Sequence, residues 1–190
     1  MSYPETAPGN SPFALWPSPF GEAFLEEVGR VRRSLFIVAP YVRSGGVARV
    51  IDRLRSNPGF NDLEIRVLTR LDQDAFQGRH SHPEALLALL GLGARGGPRV
   101  EMRWHSNLHA KVYVFDGARA LVTSANLTED SLFPETGSGD VEYGVLIESM
   151  EAVRLVVGHL EKTWAGAEAV SVQELKGLIQ RGKCTVDKPV

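Results

Sequence analysis

The residues best placed to do chemistry lie in one segment, His109-Ala110-Lys111-Val112-Tyr113-Val114-Phe115-Asp116. Read as a strand, it turns alternate side chains the same way, so His109 and Lys111 share a face. A nucleophile or base then stands beside a fixed cation, an arrangement suited to a phosphate group. Asp116-Gly117 is a hairpin signal between this run and a second strand-like run over 120–124. The return carries Ser124 and Asn126 back towards the start of the first strand, and both offer neutral hydrogen-bonding groups there. Val141-Glu142-Tyr143-Gly144-Val145 reads as another strand, able to set Glu142 beside the same histidine.

The elements that must position these residues come before them in the chain. Residues 1–20 are rich in Pro, Ser and Gly without a period, and read as a flexible N-terminal arm, with Phe13, Trp16 and Phe20 as anchors. Residues 21–190 then read as one domain. Phe24, Leu25, Val28 and Val31 recur at helical spacing over 21–33. Leu35-Phe36-Ile37-Val38-Ala39 is a continuous apolar run ended by Pro40, the pattern of a buried strand. Helices follow over 47–54 and 83–92, and strands over 63–69 and 99–104. Ser149 is placed to cap a helix running to Trp164, and Ser171 with Glu174 forms a capping-box pattern for a terminal one. The fold class expected is α/β, a mixed sheet with helices on both faces.

Composition narrows the function. The chain has 190 residues and a formal charge of −2, so any nucleic-acid surface is a local patch, not a property of the whole molecule. That argues against a non-specific DNA coat and leaves a nuclease open. One cysteine, Cys184, excludes a disulfide framework within the chain. No apolar stretch is long enough to span a bilayer and no signal-peptide pattern opens the chain, so a cytoplasmic protein away from the membrane is expected. His80, His82 and His105 lack the spacing of a zinc site, and no cofactor or metal is expected. His80 and His82 read as a solvated loop at the mouth of the site. Gly91-Leu92-Gly93-Ala94-Arg95-Gly96 matches a dinucleotide fingerprint by letter, but it follows a helix and precedes a strand, the wrong order. It reads as a helix-ending loop.

The central segment resembles the motif of the phospholipase D superfamily: His-x-Lys, four residues, Asp, six residues, then Gly-Ser-x-Asn. His109, Lys111, Asp116, Ser124 and Asn126 match in type and spacing. Glu142-Tyr143-Gly144 also resembles the downstream acidic position of the small single-motif nucleases in that family, and Ala39-Pro40-Tyr41 is typical of the fold. One position departs. Thr123 stands where glycine is usual, which either narrows the pocket or marks subfamily variation.

The resemblance implies a metal-independent phosphodiesterase. His109 would attack phosphorus and form a phosphohistidine, and a second histidine would protonate the leaving oxygen and then activate water. Lys111 and Asn126 would hold the non-bridging oxygens. Glu142, with Ser124, would orient the imidazole of His109, and Asp116 would organise the turn. Because the chain holds one motif where the chemistry needs two, a homodimer with a shared site is implied. The single-motif members are nucleases, so DNA or RNA is the expected substrate and an endonuclease the leading form. Restriction and defence systems use such domains, which makes a helicase or other ATPase subunit a plausible partner. The alternatives are a phospholipase or phosphatidyl transferase, and a catalytically silent nucleic-acid-binding or scaffold subunit.

Overall fold

Leu35, Phe36, Ile37 and Val38 are all buried, as a strand covered on both faces requires. In the computed structural model of the chain, which describes residues 5–6, 11–71, 75–76, 80–94, 96–134 and 139–186, this strand lies inside a nine-stranded mixed sheet. The strands are β1 (Glu5–Thr6), β2 (Phe13–Pro17), β3 (Ser34–Val38), β4 (Glu64–Thr69), β5 (Arg99–Trp104), β6 (Val112–Phe115), β7 (Arg119–Thr123), β8 (Tyr143–Ile147) and β9 (Glu168–Ala169), in the spatial order β1-β2-β8-β7-β6-β3-β4-β5-β9. β3, β4 and β5 run parallel, whereas β6, β7, β8 and β2 form an antiparallel meander joined to β3.

The helices are α1 (Gly21–Arg30), α2 (Ser44–Arg55), α3 (Pro83–Gly91), α4 (Glu129–Leu132), α5 (Met150–Ala165) and α6 (Val172–Val186). They divide between the two faces. Phe24 and Val28 of α1, Val47, Val50 and Leu54 of α2, and Leu86 and Leu89 of α3 pack with Leu35, Ile37, Tyr113 and Phe115 on one side. On the other, Val153, Leu160 and Trp164 of α5 cover Phe36, Val38, Val112 and Val114. The α/β class with helices on both faces is therefore as the sequence predicts. Both helix starts read from the sequence are also present: Ser149 Oγ accepts from Ala152 N, and Ser171 and Glu174 exchange bonds in a capping box.

Three differences from the sequence reading bear on what surrounds the His-x-Lys segment. The expected arm over residues 1–20 is not free at its C-terminal end: Phe13–Pro17 pairs with Tyr143–Ile147 in full register, burying Ala14 and Trp16. Residues 1–4 and 7–10 lie outside the described residues. The alternation was hidden because Phe13 and Leu15, on the exposed face, are apolar too, and the flanking prolines read as loop. Helix α2 begins at Ser44, ahead of the expected 47, and the intervening glycines explain why. A Cβ on Gly46 would meet the Leu127 carbonyl oxygen at 2.9 Å, so the glycine permits close approach and does not break the helix. Strand pairing in β6 starts at Val112, which leaves His109 and Lys111 just outside the ladder.

Candidate active site

The site forms where β6 begins, and the sheet register fixes what stands around it. Val112 pairs with Val38 and with Val122, so the residues before Val112 emerge beside the end of β3 and the end of β7. Thr123 N donates to Lys111 O at 3.1 Å, which holds the His-x-Lys segment in a strand-like path beyond the ladder. Alternation along that path sets Lys111 on the same face as Tyr113, and His109 follows it. Lys111 Nζ lies 3.3 Å from His109 Nε2 and donates to the His109 carbonyl at 3.0 Å. A protonated lysine only donates, so in this contact Nε2 is the acceptor and carries the lone pair that a nucleophile needs. His109 is exposed and Lys111 half-buried, so the pair opens to solvent.

Glu142 lies just ahead of β8 and is 7% exposed. Two backbone bonds clamp it: Ser18 N donates to Glu142 O at 2.9 Å, and Glu142 N donates to Ser18 Oγ at 3.1 Å. Its carboxylate accepts from Ser124 Oγ, and Tyr143 N donates to the same hydroxyl at 3.1 Å. Among the described residues no hydrogen bond joins Glu142 to His109. The sequence set Glu142 and Ser124 against the imidazole, whereas the structure pairs them with each other. Their influence on the neighbouring groups is electrostatic. Burial pushes the Lys111 ammonium below the usual lysine range, and the Glu142 charge partly restores it. Tyr113 is fully buried, donates to Ala125 O at 3.4 Å, and is driven far above the ordinary phenol range by burial and then by Glu142.

Asn126 closes the constellation. Its Oδ1 is buried with no hydrogen-bond partner among the described residues, which leaves an acceptor that a donor group can satisfy. Thr123 does not turn into the site. Its hydroxyl donates to Tyr143 O at 2.8 Å and accepts from Ala125 N at 3.0 Å, so the extra side chain braces the turn into Ser124. Asp116 lies at the far end of β6, roughly 16 Å from Lys111 along the strand. There it adopts φ 56° beside Gly117 at φ 64°, the pattern of a tight hairpin turn. Its carboxylate accepts from Arg32 N, Arg33 N and Ser34 N at 2.7–3.0 Å, tying the hairpin tip to the start of β3.

Comparison with known proteins places the fold that carries this His109–Lys111 pair. A family model described as "Cardiolipin synthase, PLD-like domain" matches residues 25–164. The chain belongs to the phospholipase D superfamily. NucT from Helicobacter pylori superposes with a TM-score of 0.63 at 12% identity, over 83% of this chain and 98% of that one. Nuc from Salmonella typhimurium, a phospholipase D family member, gives 0.60 at 16% identity, over 83% and 97%. A phosphatidylserine synthase from Haemophilus influenzae gives 0.60 at 14% identity, over 90% of this chain but 43% of that one. No curated protein sequence matches the chain.

Within this phospholipase D fold, His109, Lys111, Ser124, Asn126 and Glu142 meet at one end of the sheet, and Asp116 does not. Sequence reading missed Ser18, which holds Glu142 in place from just beyond β2, in the segment taken for an arm. The signal that would have found it is the apolar run Phe13-Ala14-Leu15-Trp16, strand-like in type although not alternating. His82 lies against the segment after β3: its N donates to Val42 O, and Ser44 N donates to His82 Nδ1 at 3.2 Å. Among the described residues no group of three or more His, Cys, Asp or Glu side chains is placed to hold a metal ion, and no helix is long and apolar enough to cross a membrane.

Proposed function

We propose that the chain is a metal-independent phosphodiesterase acting on nucleic acid, with His109 as nucleophile and a second copy of the chain completing the site. The observation that carries this is the His109–Lys111 contact at 3.3 Å, a nucleophile and a cation sharing one anion-sized position. A phosphodiester entering there takes over the donation from Lys111 and frees Nε2 for attack. The N–P bond forms as the P–O bond breaks, and the leaving oxygen takes a proton from an acid across the site. Water then displaces the histidine, giving up its proton to that same group. Lys111 and the Asn126 amide offset the charge that builds on the phosphoryl oxygens.

The acid is the part this chain does not supply, and His109 of a second copy fits the role by symmetry. Two observations support that arrangement. NucT and Nuc are covered almost whole by this chain, so one such unit is the size of those proteins. In addition, Leu15, Val122 and Tyr143 leave apolar surface exposed on the α5 side of the sheet, where the Leu15–Val145–Val122 row continues from the covered Val112 and Val38. Tyr143 in that patch bonds directly to Ser124 of the site.

The test is incubation of purified protein with labelled single- and double-stranded DNA and RNA in excess EDTA, with His109→Ala alongside. Cleavage by the wild type alone is the expected result. Cleavage that requires added divalent metal contradicts the mechanism. Hydrolysis confined to phospholipid vesicles moves the assignment to the lipid-acting branch, for which the fold likeness to the phosphatidylserine synthase is the supporting observation.

A further inference from the structure

Beside the reacting pair, the loop after β3 carries an aromatic cluster that the mechanism above does not use. Val38 pairs with Val112, so the chain leaving β3 runs alongside the His-x-Lys segment. Two residues beyond Pro40, Val42 forms a parallel bridge with Leu127, and Arg43 N donates to Leu127 O at 3.0 Å. Tyr41 is therefore held between the two segments that carry His109 and Asn126. On the outer side, Ser81 exchanges bonds with Val42 through its hydroxyl, and His82 N donates to Val42 O at 2.8 Å. That fixes His80 next to Tyr41, with ring centroids 6.1 Å apart and an interplanar angle of 43°. The Arg70 guanidinium lies 6.0 Å from the Tyr41 ring centroid. Three flat π systems thus group at the rim of a phosphate-sized site, ending on an exposed imidazole.

The Tyr41 ring face offers little to a phosphoryl oxygen but much to a base, and the guanidinium and imidazole beside it extend that flat surface. Nucleobases stack on aromatic rings and guanidinium planes without regard to sequence, and they present an open face only when unpaired. We propose that Tyr41, flanked by Arg70 and His80, is a stacking shelf for the base next to the scissile phosphate, so that unpaired nucleotides are the substrate. The inference rests on the nucleic-acid reading above and adds a base subsite to it. A duplex keeps its bases inside the stack and offers the shelf only its backbone.

The test compares two oligonucleotides of equal length in EDTA, a thymidine homopolymer and one in which abasic sugars replace the nucleotides around the cleavage position. The wild type is expected to cleave the base-bearing strand faster. Tyr41→Ala should lower kcat/KM on that strand about tenfold and leave the abasic strand within about twofold. Tyr41→Phe should retain the wild-type preference, because it keeps the ring. Equal loss on both strands, or none on either, overturns the shelf while leaving the nuclease intact. Failure of the wild type to cleave either strand overturns the nucleic-acid reading itself, and the shelf with it.

Discussion

At the scale of single residues, the proposed mechanism separates a group that reacts from groups that set its surroundings. His109 is exposed and its side-chain contact is with Lys111, so His109→Ala should lower turnover by on the order of 10⁴ or more. Unfolding free energy should stay within about 0.5 kcal/mol of wild type, as for other surface changes. Urea denaturation beside the cleavage assay checks both halves. Glu142 works differently. It supports Lys111 through its charge and holds Ser124, so Glu142→Gln should slow turnover roughly 10- to 100-fold, with a smaller effect on substrate binding. The sign of the pH effect follows from the lysine. Burial lowers the Lys111 pKa and Glu142 raises it, so removing the carboxylate charge lowers it further. The alkaline limb of the rate profile, where Lys111 loses its proton, should therefore move to lower pH in Glu142→Gln. A limb that stays in place, or moves up, would take Lys111 out of the ionisation that limits activity.

The elements explain why the motif residues converge, and they also mark how far the sequence could be read. The His-x-Lys spacing, the Asp116-Gly117 turn and the return through Ser124 were legible because each depends on local rules of strand alternation and turn chemistry. The Ser124–Glu142 pairing was not. It depends on β8 lying beside β7, and on Ser18 gripping Glu142 from the end of a strand whose two faces are both apolar. No local pattern encodes either contact. Asp116 was legible as an organiser, but its partners, the Arg32–Ser34 amides, lie more than eighty residues away in sequence. Asp116→Ala removes the acceptor for three amides and places alanine at positive φ, so it should cost about 2–3 kcal/mol in urea unfolding. Removing residues 1–17 tests the correction to the arm. Loss of β2 exposes the β8 edge and uncovers the packing of Trp16, so cooperativity or stability should drop sharply. A truncated chain as stable as the full one would return that segment to the status of a free arm.

For the whole molecule, the decisive feature is that one chain carries one His-x-Lys pair, whereas the proposed reaction needs two histidines. Sedimentation of the wild type should give a dimer. Val122→Asp should weaken it by placing a charge in the exposed apolar patch on the α5 side of the sheet. If the shared site is correct, turnover per chain should fall in parallel with dissociation. Unimpaired activity in a monomer would require the acid to come from this chain itself.

The most direct measurement is of the covalent intermediate. Labelled oligonucleotide is mixed with the protein in EDTA, the reaction is quenched in alkali, and the label remaining on the chain is followed. A phosphohistidine should appear on the wild type, survive alkali, and be released by mild acid. It should be absent from His109→Ala. Cleavage with no labelled protein at any time, or label that persists in His109→Ala, would contradict nucleophilic attack by His109.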